Sequence, residues 1–418
     1  MYRQFKLNVS DLKIGMYVAG LDRPWVETPF LFQGFNITSI DEIDALGKYC
    51  EFVFVDEEKS AIKNVRAHIS SLIRPTTKIT KIKTEGPRIA LPKGVEFKRQ
   101  MRQALSTHHN VKCYINKAMV DVQSGVAPDV KKARTLVNHL ADNIVTNPTA
   151  MIWLTQLKKK DEYTANHSLN VCILALFFGR SIGMPMDQLK ELGIGALLHD
   201  IGKLKVPLEV LNKPDRLTND EYRIMRQHTV FGYDLLRDKK EISHDALQVI
   251  QNHHERLDGK GYPHKLVDHQ INHYTKLVSI VDVYDAITSK RAYHDAMNPH
   301  DALNIIFKSD KGSFDQGLLE QFIKYLGVYP IGSVVELSSG QVGVVMSFND
   351  KHHLTPLILL VLDENKLPYN QYRYLNLAHA VYKKNKEPLH ISGIVKPEAY
   401  DLDVATIIKN ESFHIAKE

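Results

Sequence analysis

The sequence predicts a multidomain α+β protein: a central all-α helical bundle flanked by a small β-rich N-terminal domain and a small β-rich C-terminal extension. Three observations support this prediction. The chain has 418 residues, enough for two or three ordinary domains. Its hydrophobic pattern is helical from about residue 94 to residue 325, and mainly strand-like towards both ends of the chain. Its composition, 44% hydrophobic and 24% charged, is that of a globular protein with a sizeable core.

The N-terminal part, predicted over residues 1–135, is an α+β domain with a basic linker. Its apolar runs are rich in β-branched and aromatic residues, and DEIDALGKY between them predicts a short helix. From Lys59 to Arg102 the chain has twelve lysines or arginines against two acidic residues. We interpret the linker, about residues 59–102, as an exposed and partly disordered connector, with an anion-binding surface as the alternative.

The central part, predicted over residues 136–326, contains a series of helices. KKARTLVNHLADNIV has apolar residues at positions 133, 136, 137, 140 and 144, which form one face of a helix. Asp187 and Asn219 are candidate N-caps. Further helices are predicted around the segments HSLNVCILALFFGRSIG, DQLKELGIGALLHDIGK, NDEYRIMRQHTVFGYDLL, HDALQVIQNHHERL and YTKLVSIVDVYDAITS.

The C-terminal part, predicted over residues 327–418, is the β-rich extension. GSVVELSSGQVGVVMSF has the pattern of two strands joined by a Ser-Gly turn. LTPLILLVLDE and HISGIVKP continue the β character. We therefore expect a small sheet after the helices.

Charge and composition indicate which kind of ligand the protein binds and in which compartment it is found. The net charge of +6 and the pI of about 8.9 favour anionic ligands but are too mild to indicate DNA binding. No apolar run approaches the roughly 18 residues of a membrane span, and the start has no signal-type stretch. The three cysteines form no CxxC motif and no disulfide framework. We therefore expect a cytoplasmic protein.

LLHDIGK, residues 197–203, places a histidine and an aspartate in an otherwise apolar helix. An ionised carboxylate in such a place needs a cation or a full set of hydrogen bonds. Neighbouring side chains on a helix point about 100° apart. His199 and Asp200 can therefore share a metal only near a helix end or bend, and Gly202 indicates one.

Similar residues recur on successive predicted helices, and facing helices of a bundle are a common frame for a metal site. They are His167, His228, the pair His253–His254, and Asp282. The adjacent histidines diverge, which suits two neighbouring ions, and Asp200 could bridge two metals roughly 3.5–4 Å apart. Imidazole and carboxylate ligands suit Fe, Mn, Zn or Ni better than a metal that prefers thiolates, and they do not identify the ion. We expect Fe or Mn, with Zn, Ni or Mg as alternatives.

Each of these residues also has an ordinary structural interpretation. A lone histidine such as His228 is more often a surface residue or a satisfied core residue than a ligand. The dipeptide HD also occurs at His244–Asp245 and His300–Asp301. The joint arrangement, with HD, H, HH and D at intervals of about 25–30 residues, is what favours a metal centre.

Four motifs resemble the HD-GYP family, a branch of the HD superfamily of metal-dependent phosphohydrolases. They are YTANHSLNV, LLHDIGK, HHERLDGKGYP and IVDVYDAITSKRAY, and the resemblance covers about residues 140–325. The N-terminal stretch resembles a domain often found ahead of HD-GYP domains, and the C-terminal stretch resembles the usual β extension. The resemblance implies an HD-type bundle whose metal ligands are His167, His199, Asp200, His228, His253, His254 and Asp282.

The resemblance also implies the reaction, which is hydrolysis of a cyclic dinucleotide, above all cyclic di-GMP, to the linear dinucleotide pGpG and/or GMP. Water activated at a binuclear centre would attack phosphorus, with His199, Asp200 and Lys203 as the catalytic residues. Lys203, Gly261, Tyr262 and Arg291 would bind the substrate. Plain loop packing of Tyr262 and a surface salt bridge of Arg291 are the alternatives for those two residues.

Two positions depart from the fullest family pattern. Some members have a glutamate that helps to bind a third metal, where this chain has Tyr163, with Glu162 rotated by about 100° beside it. We therefore expect two divalent ions rather than three. His294 stands where some members have a lysine, so the substrate contacts do not transfer in full.

Several alternatives stay open from the sequence. The substrate could be cyclic GMP-AMP. The protein could instead be a non-catalytic cyclic-dinucleotide sensor or scaffold, or a different HD phosphohydrolase that acts on nucleotides or alarmones. Signalling-protein partners and a homodimer are further possibilities that the residues alone do not decide.

Overall fold

A computed structural model describes residues 4–22, 28, 30, 34–56, 60–61, 94–156, 163–213, 215–289, 297–309, 312–327, 329–347, 355–380, 389–404 and 406–407. The chain separates into two compact units, Met1–Leu91 and Pro92–Glu418. Most of the predicted basic linker lies outside the described residues. The predicted division into three domains stays a prediction.

The described residues of the first unit form a four-stranded antiparallel sheet, a short 3-10 helix, Val9–Asp11, and one α-helix. The strand order is β1-β4-β2-β3, with β1 Gln4–Asn8, β2 Tyr17–Leu21, β3 Phe35–Asn36 and β4 Phe52–Asp56. Helix α1, Ile40–Tyr49, lies where DEIDALGKY predicts it. Ser39 and Glu42 form a capping box at its start. The core contains Leu7, Met16, Val18, Ile37, Leu46, Val53 and Val55.

The second unit is mainly helical, with a sheet near its C-terminal end, so the prediction of a helical centre with β structure towards both ends of the chain is confirmed. Its helices are α2 Gly94–Gln123, α3 Val130–Thr146, α4 Pro148–Leu154, α5 Tyr163–Ser181, α6 Met186–Leu198, α7 Leu208–Leu211, α8 Asn219–Arg226, α9 His228–Leu236, α10 His244–Asn252, α11 His273–Thr288, α12 Pro299–Ser309 and α13 Gln316–Leu326.

Helix α5 lies at the centre of this unit. Residues 167–179 are all buried, as expected for a helix that is apolar on all sides. It packs against α6 and α11. The helical part is tied to the C-terminal sheet by Trp153, a fully buried residue whose indole N–H donates to the Met346 carbonyl at 2.6 Å. The polar side chains of α5 between residues 167 and 179 are therefore surrounded by protein.

Three local expectations were wrong. NDEYRIMRQHTVFGYDLL forms two helices, because the backbone tightens at Gln227, whose N–H bonds to the Ile224 carbonyl and ends α8. Asn219 is the first residue of α8, and Thr218 is the cap. Asp187 lies in the first turn of α6, where its carboxylate interacts favourably with the helix dipole but does not cap the helix. The N-cap residue is Pro185.

The C-terminal sheet has five antiparallel strands in the order β8-β7-β6-β5-β9. They are β5 Val334–Leu337, β6 Val342–Ser347, β7 Leu357–Leu362, β8 Pro368–Asn376 and β9 Ile391–Ile394. The predicted turn between β5 and β6 is present, with Gly340 at a φ of +84°. Strand β8 was not predicted, because it is a largely exposed edge strand with a polar sequence.

None of the helices in the described parts of the chain combines the length and the apolarity needed to cross a bilayer.

Candidate metal centre

His199 and Asp200 lie at the helix end that the sequence predicts. Helix α6 stops at Leu198, and a 3-10 helix, Ile201–Lys205, follows. The turn needs glycine at position 202, because a Cβ there would lie 1.9 Å from the His228 carbonyl oxygen. Both side chains are fully buried. The bend therefore turns His199 and Asp200 into the same interior space.

Four residues form the first ligand group: Asp200, His228, His253 and His254. Each offers one ligand atom, and these atoms lie within 4.8 Å of one another. Asp200 Oδ1 is 3.4 Å from His228 Nε2 and 3.8 Å from His253 Nε2. His228 opens α9, whereas His253 and His254 follow the last residue of α10. Three chain segments thus meet at one point.

Three residues form the second ligand group: His167 on α5, His199, and Asp282 on α11. Their ligand atoms also lie within 4.8 Å of one another. His167 Nε2 is 3.1 Å from Asp282 Oδ1, and His199 Nε2 is 3.9 Å from the same oxygen. All three side chains are buried. The structure therefore brings all seven predicted ligands together, in two groups.

The two carboxylates connect the groups. Asp200 turns Oδ1 toward the first group, while its Oδ2 lies 3.3 Å from His199 Nε2 and 3.6 Å from His167 Nε2. Asp282 turns Oδ1 toward the second group, and its Oδ2 lies 3.7 Å from His254 Nδ1. Each aspartate thus has one oxygen for each group, which is the arrangement that a bridging ligand needs.

Backbone carbonyls orient three of the imidazoles. His199 Nδ1 lies 2.7 Å from the Ala196 carbonyl oxygen, His228 Nδ1 lies 2.8 Å from that of Met225, and His253 Nδ1 lies 3.1 Å from that of Ile250. A carbonyl only accepts, so Nδ1 carries the proton and donates. Nε2 is then left with its lone pair facing the cluster, as metal-binding histidines require.

Asp285 supports the cluster and was missed by the sequence analysis. It lies on α11, one turn after Asp282, and is buried. His167 Nδ1 lies 2.8 Å from its Oδ2, and the side chains of Asn170 and Ser289 donate to it, each at 3.1 Å. A carboxylate in an apolar helix was the signal that drew attention to Asp282, and the same signal applies to Asp285.

Burial and neighbouring charges set the ionisation of the cluster. Burial lowers the pKa of His228 to about 4, and lowers the pKa values of His253 and His254 well below the usual range. Burial opposes ionisation of Asp200 and Asp282, but Lys203 for the former and His167 for the latter hold their pKa values well below the usual range. Neutral imidazoles beside ionised carboxylates are the forms that bind a cation.

His167 differs from the other histidines. Burial lowers its pKa, but hydrogen bonds to Asp282 and Asp285 outweigh that effect and raise the pKa to about 9. When His167 is protonated, its Nε2–H faces Asp282 Oδ1, 3.1 Å away, where a cation would otherwise bind. A metal bound there would therefore displace a proton.

Two polar atoms of the cluster support the fit to a cation. Within the described part of the chain, His199 Nε2 and Asp200 Oδ1 are buried and accept no hydrogen bond. A buried polar atom without a partner costs free energy. A divalent cation would satisfy both atoms, and the nitrogen and oxygen donors suit several first-row metals.

The other predicted site residues lie around this cluster. The Lys203 ammonium donates to Asp200 Oδ2 at 2.6 Å and is partly exposed. The Tyr262 ring lies 4.7 Å from that of His254. A Cβ on Gly261 would lie 2.4 Å from Glu255 Cα, so only glycine fits there. Arg291, Glu162 and His294 lie outside the described residues, as does the side chain of Tyr163.

A second carboxylate that was missed, Glu255, anchors the loop that carries Gly261 and Tyr262. It is buried, and it accepts the backbone N–H groups of His264 at 2.6 Å and Leu266 at 2.9 Å. Tyr262 N–H in turn donates to the His254 carbonyl at 3.2 Å. The loop is therefore fixed against the end of α10, next to the metal ligands.

Comparison with known proteins identifies the family. A model described as "HD domain" matches residues 141–318, and "Domain of unknown function (DUF3391)" matches residues 4–133. A Pseudomonas aeruginosa protein named cyclic di-GMP phosphodiesterase PA4108 is 33% identical over 370 residues, 88% of this chain and 87% of that protein. The chain belongs to the HD-GYP family. The predictions of this family and of a phosphodiesterase are confirmed.

Two further relatives each match a smaller share of the chain. The Vibrio cholerae protein named 3'3'-cGAMP-specific phosphodiesterase 1 is 32% identical over 166 residues, 38% of this HD-GYP chain and 36% of that protein. The Xanthomonas campestris pv. campestris protein named cyclic di-GMP phosphodiesterase response regulator RpfG is 34% identical over 145 residues, 34% of this chain and 38% of that protein. The names of these relatives therefore contain two different cyclic dinucleotides.

Proposed function

We propose that this HD-GYP protein hydrolyses cyclic dinucleotides, with cyclic di-GMP as the preferred substrate, at two divalent cations. The observation that carries the proposal is the pair of carboxylates, Asp200 and Asp282, each with one oxygen toward either ligand group. The name of the relative that matches most of the chain supports cyclic di-GMP. Cleavage of one phosphodiester gives linear pGpG, and cleavage of both gives GMP.

Each ligand group would hold one ion. Asp200 and the three histidines of the first group would hold one, and His167, His199 and Asp282 would hold the other. When bound, two divalent cations supply Lewis acidity and make hydroxide available near neutral pH. The proposed metal is Fe or Mn, with Zn, Ni or Mg as alternatives. Asp285 keeps the ring of His167 oriented through its Nδ1.

Lys203 is the proposed electrostatic residue. Its ammonium holds Asp200 Oδ2 at 2.6 Å, and 22% of the side chain is exposed. An ammonium has three donors, so those not used by Asp200 can hold a non-bridging phosphate oxygen as charge develops. Tyr262 and Gly261 would form the wall beside the substrate, and Arg291 is retained as a phosphate contact on its motif alone.

A substrate panel tests the proposal. The full chain, purified without air and loaded with Mn or Fe, should convert cyclic di-GMP to pGpG or GMP, measured by chromatography. The double variant His199→Ala/Asp200→Ala should show no hydrolysis. The matched control is His244→Ala/Asp245→Ala, which removes the same dipeptide from the exposed start of α10 and should retain the rate.

The other outcomes decide between the alternatives. Faster hydrolysis of cyclic GMP-AMP would replace cyclic di-GMP as the substrate. Calorimetric binding of a cyclic dinucleotide without turnover by metal-loaded protein would favour the sensor or scaffold. A cytoplasmic location, a homodimer and signalling-protein partners remain predictions from the sequence.

A further inference from the structure

A cationic and aromatic surface lies directly beside the metal ligands. It consists of Tyr222 and Arg226 on α8, together with Tyr262 on the loop after α10. The Arg226 guanidinium lies over the Tyr262 ring, 4.4 Å from its centroid, and 5.8 Å from the centroid of Tyr222. The two tyrosine rings are 6.5 Å apart and nearly perpendicular. We call these three residues the Tyr-Arg-Tyr cluster.

The cluster is continuous with the metal centre. The Tyr262 ring is 4.7 Å from that of His254 and 6.3 Å from that of His228. Arg226 stands two residues before His228 in the chain. A group that binds at the cluster can therefore belong to the same molecule as a phosphodiester held at the metal ligands.

The Arg226 guanidinium has no ion-pair or hydrogen-bond partner among the residues that the structure describes. Other arginines of the same region do have such partners: Arg223 pairs with Asp220 at 2.9 Å, and Arg237 pairs with Asp234 at 3.1 Å. An arginine held by aromatic rings alone keeps all five N–H donors available in a planar fork. Tyr222, which is 50% exposed, adds an open aromatic face.

We propose that Arg226 selects guanine in the dinucleotide, by donating two N–H bonds to O6 and N7, while Tyr222 offers a stacking surface. This inference rests on the proposed function, and it deepens that proposal by naming the residue that distinguishes the base. Guanine presents two acceptors on this edge, which match the guanidinium fork. Adenine presents N7 together with the N6 amino donor, which opposes an N–H of arginine.

A base fits this surface better than a phosphate does. The guanidinium faces the rings of two tyrosines, which favours an aromatic ligand that can stack. The Lys203 ammonium already lies at the metal ligands, where a scissile phosphate would be held. A phosphate contact by Arg226 is therefore the competing outcome of the experiment.

The experiment compares base preference in the full-length, Mn-loaded protein. Hydrolysis of bis(p-nitrophenyl) phosphate, a diester without a base, reports on the metal centre. Cyclic di-GMP and cyclic di-AMP are each added as inhibitors of that hydrolysis. Each then gives an inhibition constant, whether or not it is itself cleaved. The variants are Arg226→Lys, which keeps the charge but loses the fork, and Arg226→Ala. Arg223→Lys is the matched control on the same helix.

We expect both Arg226 variants to weaken inhibition by cyclic di-GMP roughly ten- to a hundredfold, the value of one bidentate pair, and to weaken inhibition by cyclic di-AMP much less. Arg223→Lys should change neither constant. An equal loss for both dinucleotides would assign Arg226 to a phosphate and overturn the proposal, as would no loss at all. Unchanged thermal unfolding of Arg226→Lys establishes that the variant is folded.

Failure of this inference is distinguishable from failure of the proposed function. If the wild type cleaves neither the aryl diester nor any cyclic dinucleotide, the proposed function fails. Calorimetric titration of the same four proteins with the two cyclic dinucleotides then still measures the base preference, because it needs no turnover. A preference for cyclic di-GMP that survives in Arg226→Lys and Arg226→Ala would overturn the role of Arg226 in either case.

Discussion

The same dipeptide, His-Asp, stands at two places in the helical unit with opposite surroundings. His199–Asp200 follows the end of α6, is fully buried, and faces five other imidazole or carboxylate side chains. His244–Asp245 opens α10 and is exposed, and Asp245 accepts a hydrogen bond from the Asn272 side chain. The two identical dipeptides therefore have different chemistry, because they differ in burial and in the elements that surround them.

The largest expected effect comes from changing the aspartate of the buried dipeptide, Asp200, with the aspartate of the exposed dipeptide, Asp245, as the control. Asp200→Asn keeps the shape of the side chain but removes the charge shared by the two ligand groups. We expect hydrolysis of cyclic di-GMP to fall at least about a thousandfold, as expected for the loss of several kcal/mol of charge stabilisation. Asp245→Asn should leave the rate unchanged. Steady-state rates at saturating metal measure both, and similar rates for the two variants would contradict the role of Asp200.

A second prediction concerns Asp285, which has no counterpart at the exposed dipeptide. Asp285→Asn should weaken the orientation of His167 and lower metal affinity about ten- to a hundredfold, whereas Asp234→Asn, at an exposed ion pair on α9, should not. Metal titration measures the affinity, and a shifted pH–rate profile separates positioning from general destabilisation. Unchanged affinity and an unchanged profile would assign Asp285 a purely structural role.

The third prediction uses pH on the metal-free protein. The folded-state pKa of His228 is lowered to about 4, mainly by burial, whereas an unfolded histidine has a pKa near 6.5. Between these values the unfolded chain binds more protons, so the free energy of unfolding falls as the pH falls. At pH 5 we expect a loss on the order of 2 kcal/mol from this residue, measured by urea unfolding after chelation of metal.

His167 has the opposite effect on the pH dependence of the free energy of unfolding. Its folded-state pKa is raised to about 9, so the stability that it contributes is fully present below pH 6.5 or so and is lost as the pH rises through about 9. His167 and His228 together place the maximum stability of the metal-free protein near pH 6.5, and the lowered pKa values of His253 and His254 move that maximum to a higher pH. His228→Ala should flatten the acid side of the stability profile, whereas His244→Ala should not. A profile that His228→Ala leaves unchanged would contradict the burial of a neutral imidazole.

The smallest expected effect comes from Glu255, beyond the end of α10, with Asp245 at the start of the same helix as the control. Glu255, just beyond its last residue, accepts two backbone N–H groups of the Tyr262 loop, whereas Asp245 lies in its first turn. Glu255→Gln replaces one acceptor by a donor and loses the charge. We expect the KM for cyclic di-GMP to rise about tenfold, as for a lost hydrogen bond to a charged group, with little change for Asp245→Asn. A kcat effect with constant KM would argue against loop placement.

Much of the fold follows from periodicity in the sequence. The apolar face of KKARTLVNHLADNIV and the apolar run in α5 predict helices from the sequence alone, without knowledge of the elements that pack against them. The break at Gln227 was not predicted, because the apolar pattern of the segment does not mark it. The edge strand β8 was not predicted, because its sequence is polar and most of it is exposed. Their geometry depends on what packs beside them.

The candidate site shows the same limit. The ligand types and their spacing pointed to all seven clustered residues, because a carboxylate in an apolar helix needs a partner. The missed residues, Asp285, Glu255 and Arg226, are supporting or surface groups. Asp285 contacts His167 from 118 residues away, and Arg226 contacts the Tyr262 ring. Glu255 binds the loop that begins a few residues after it. The apolar helix around Asp285 was a local signal that applied to it, whereas nothing in the local sequence distinguishes Glu255 and Arg226 from ordinary charged residues.

The most direct measurement is the number of metal ions bound per chain. Protein purified without air and analysed by elemental mass spectrometry should contain two divalent ions per chain in the wild type and in His244→Ala/Asp245→Ala. The double variant His199→Ala/Asp200→Ala, folded by circular dichroism, should bind at most a trace. A wild type that takes up no divalent metal from excess Mn or Fe, or a double variant that still binds two ions, would contradict a centre built from the buried cluster.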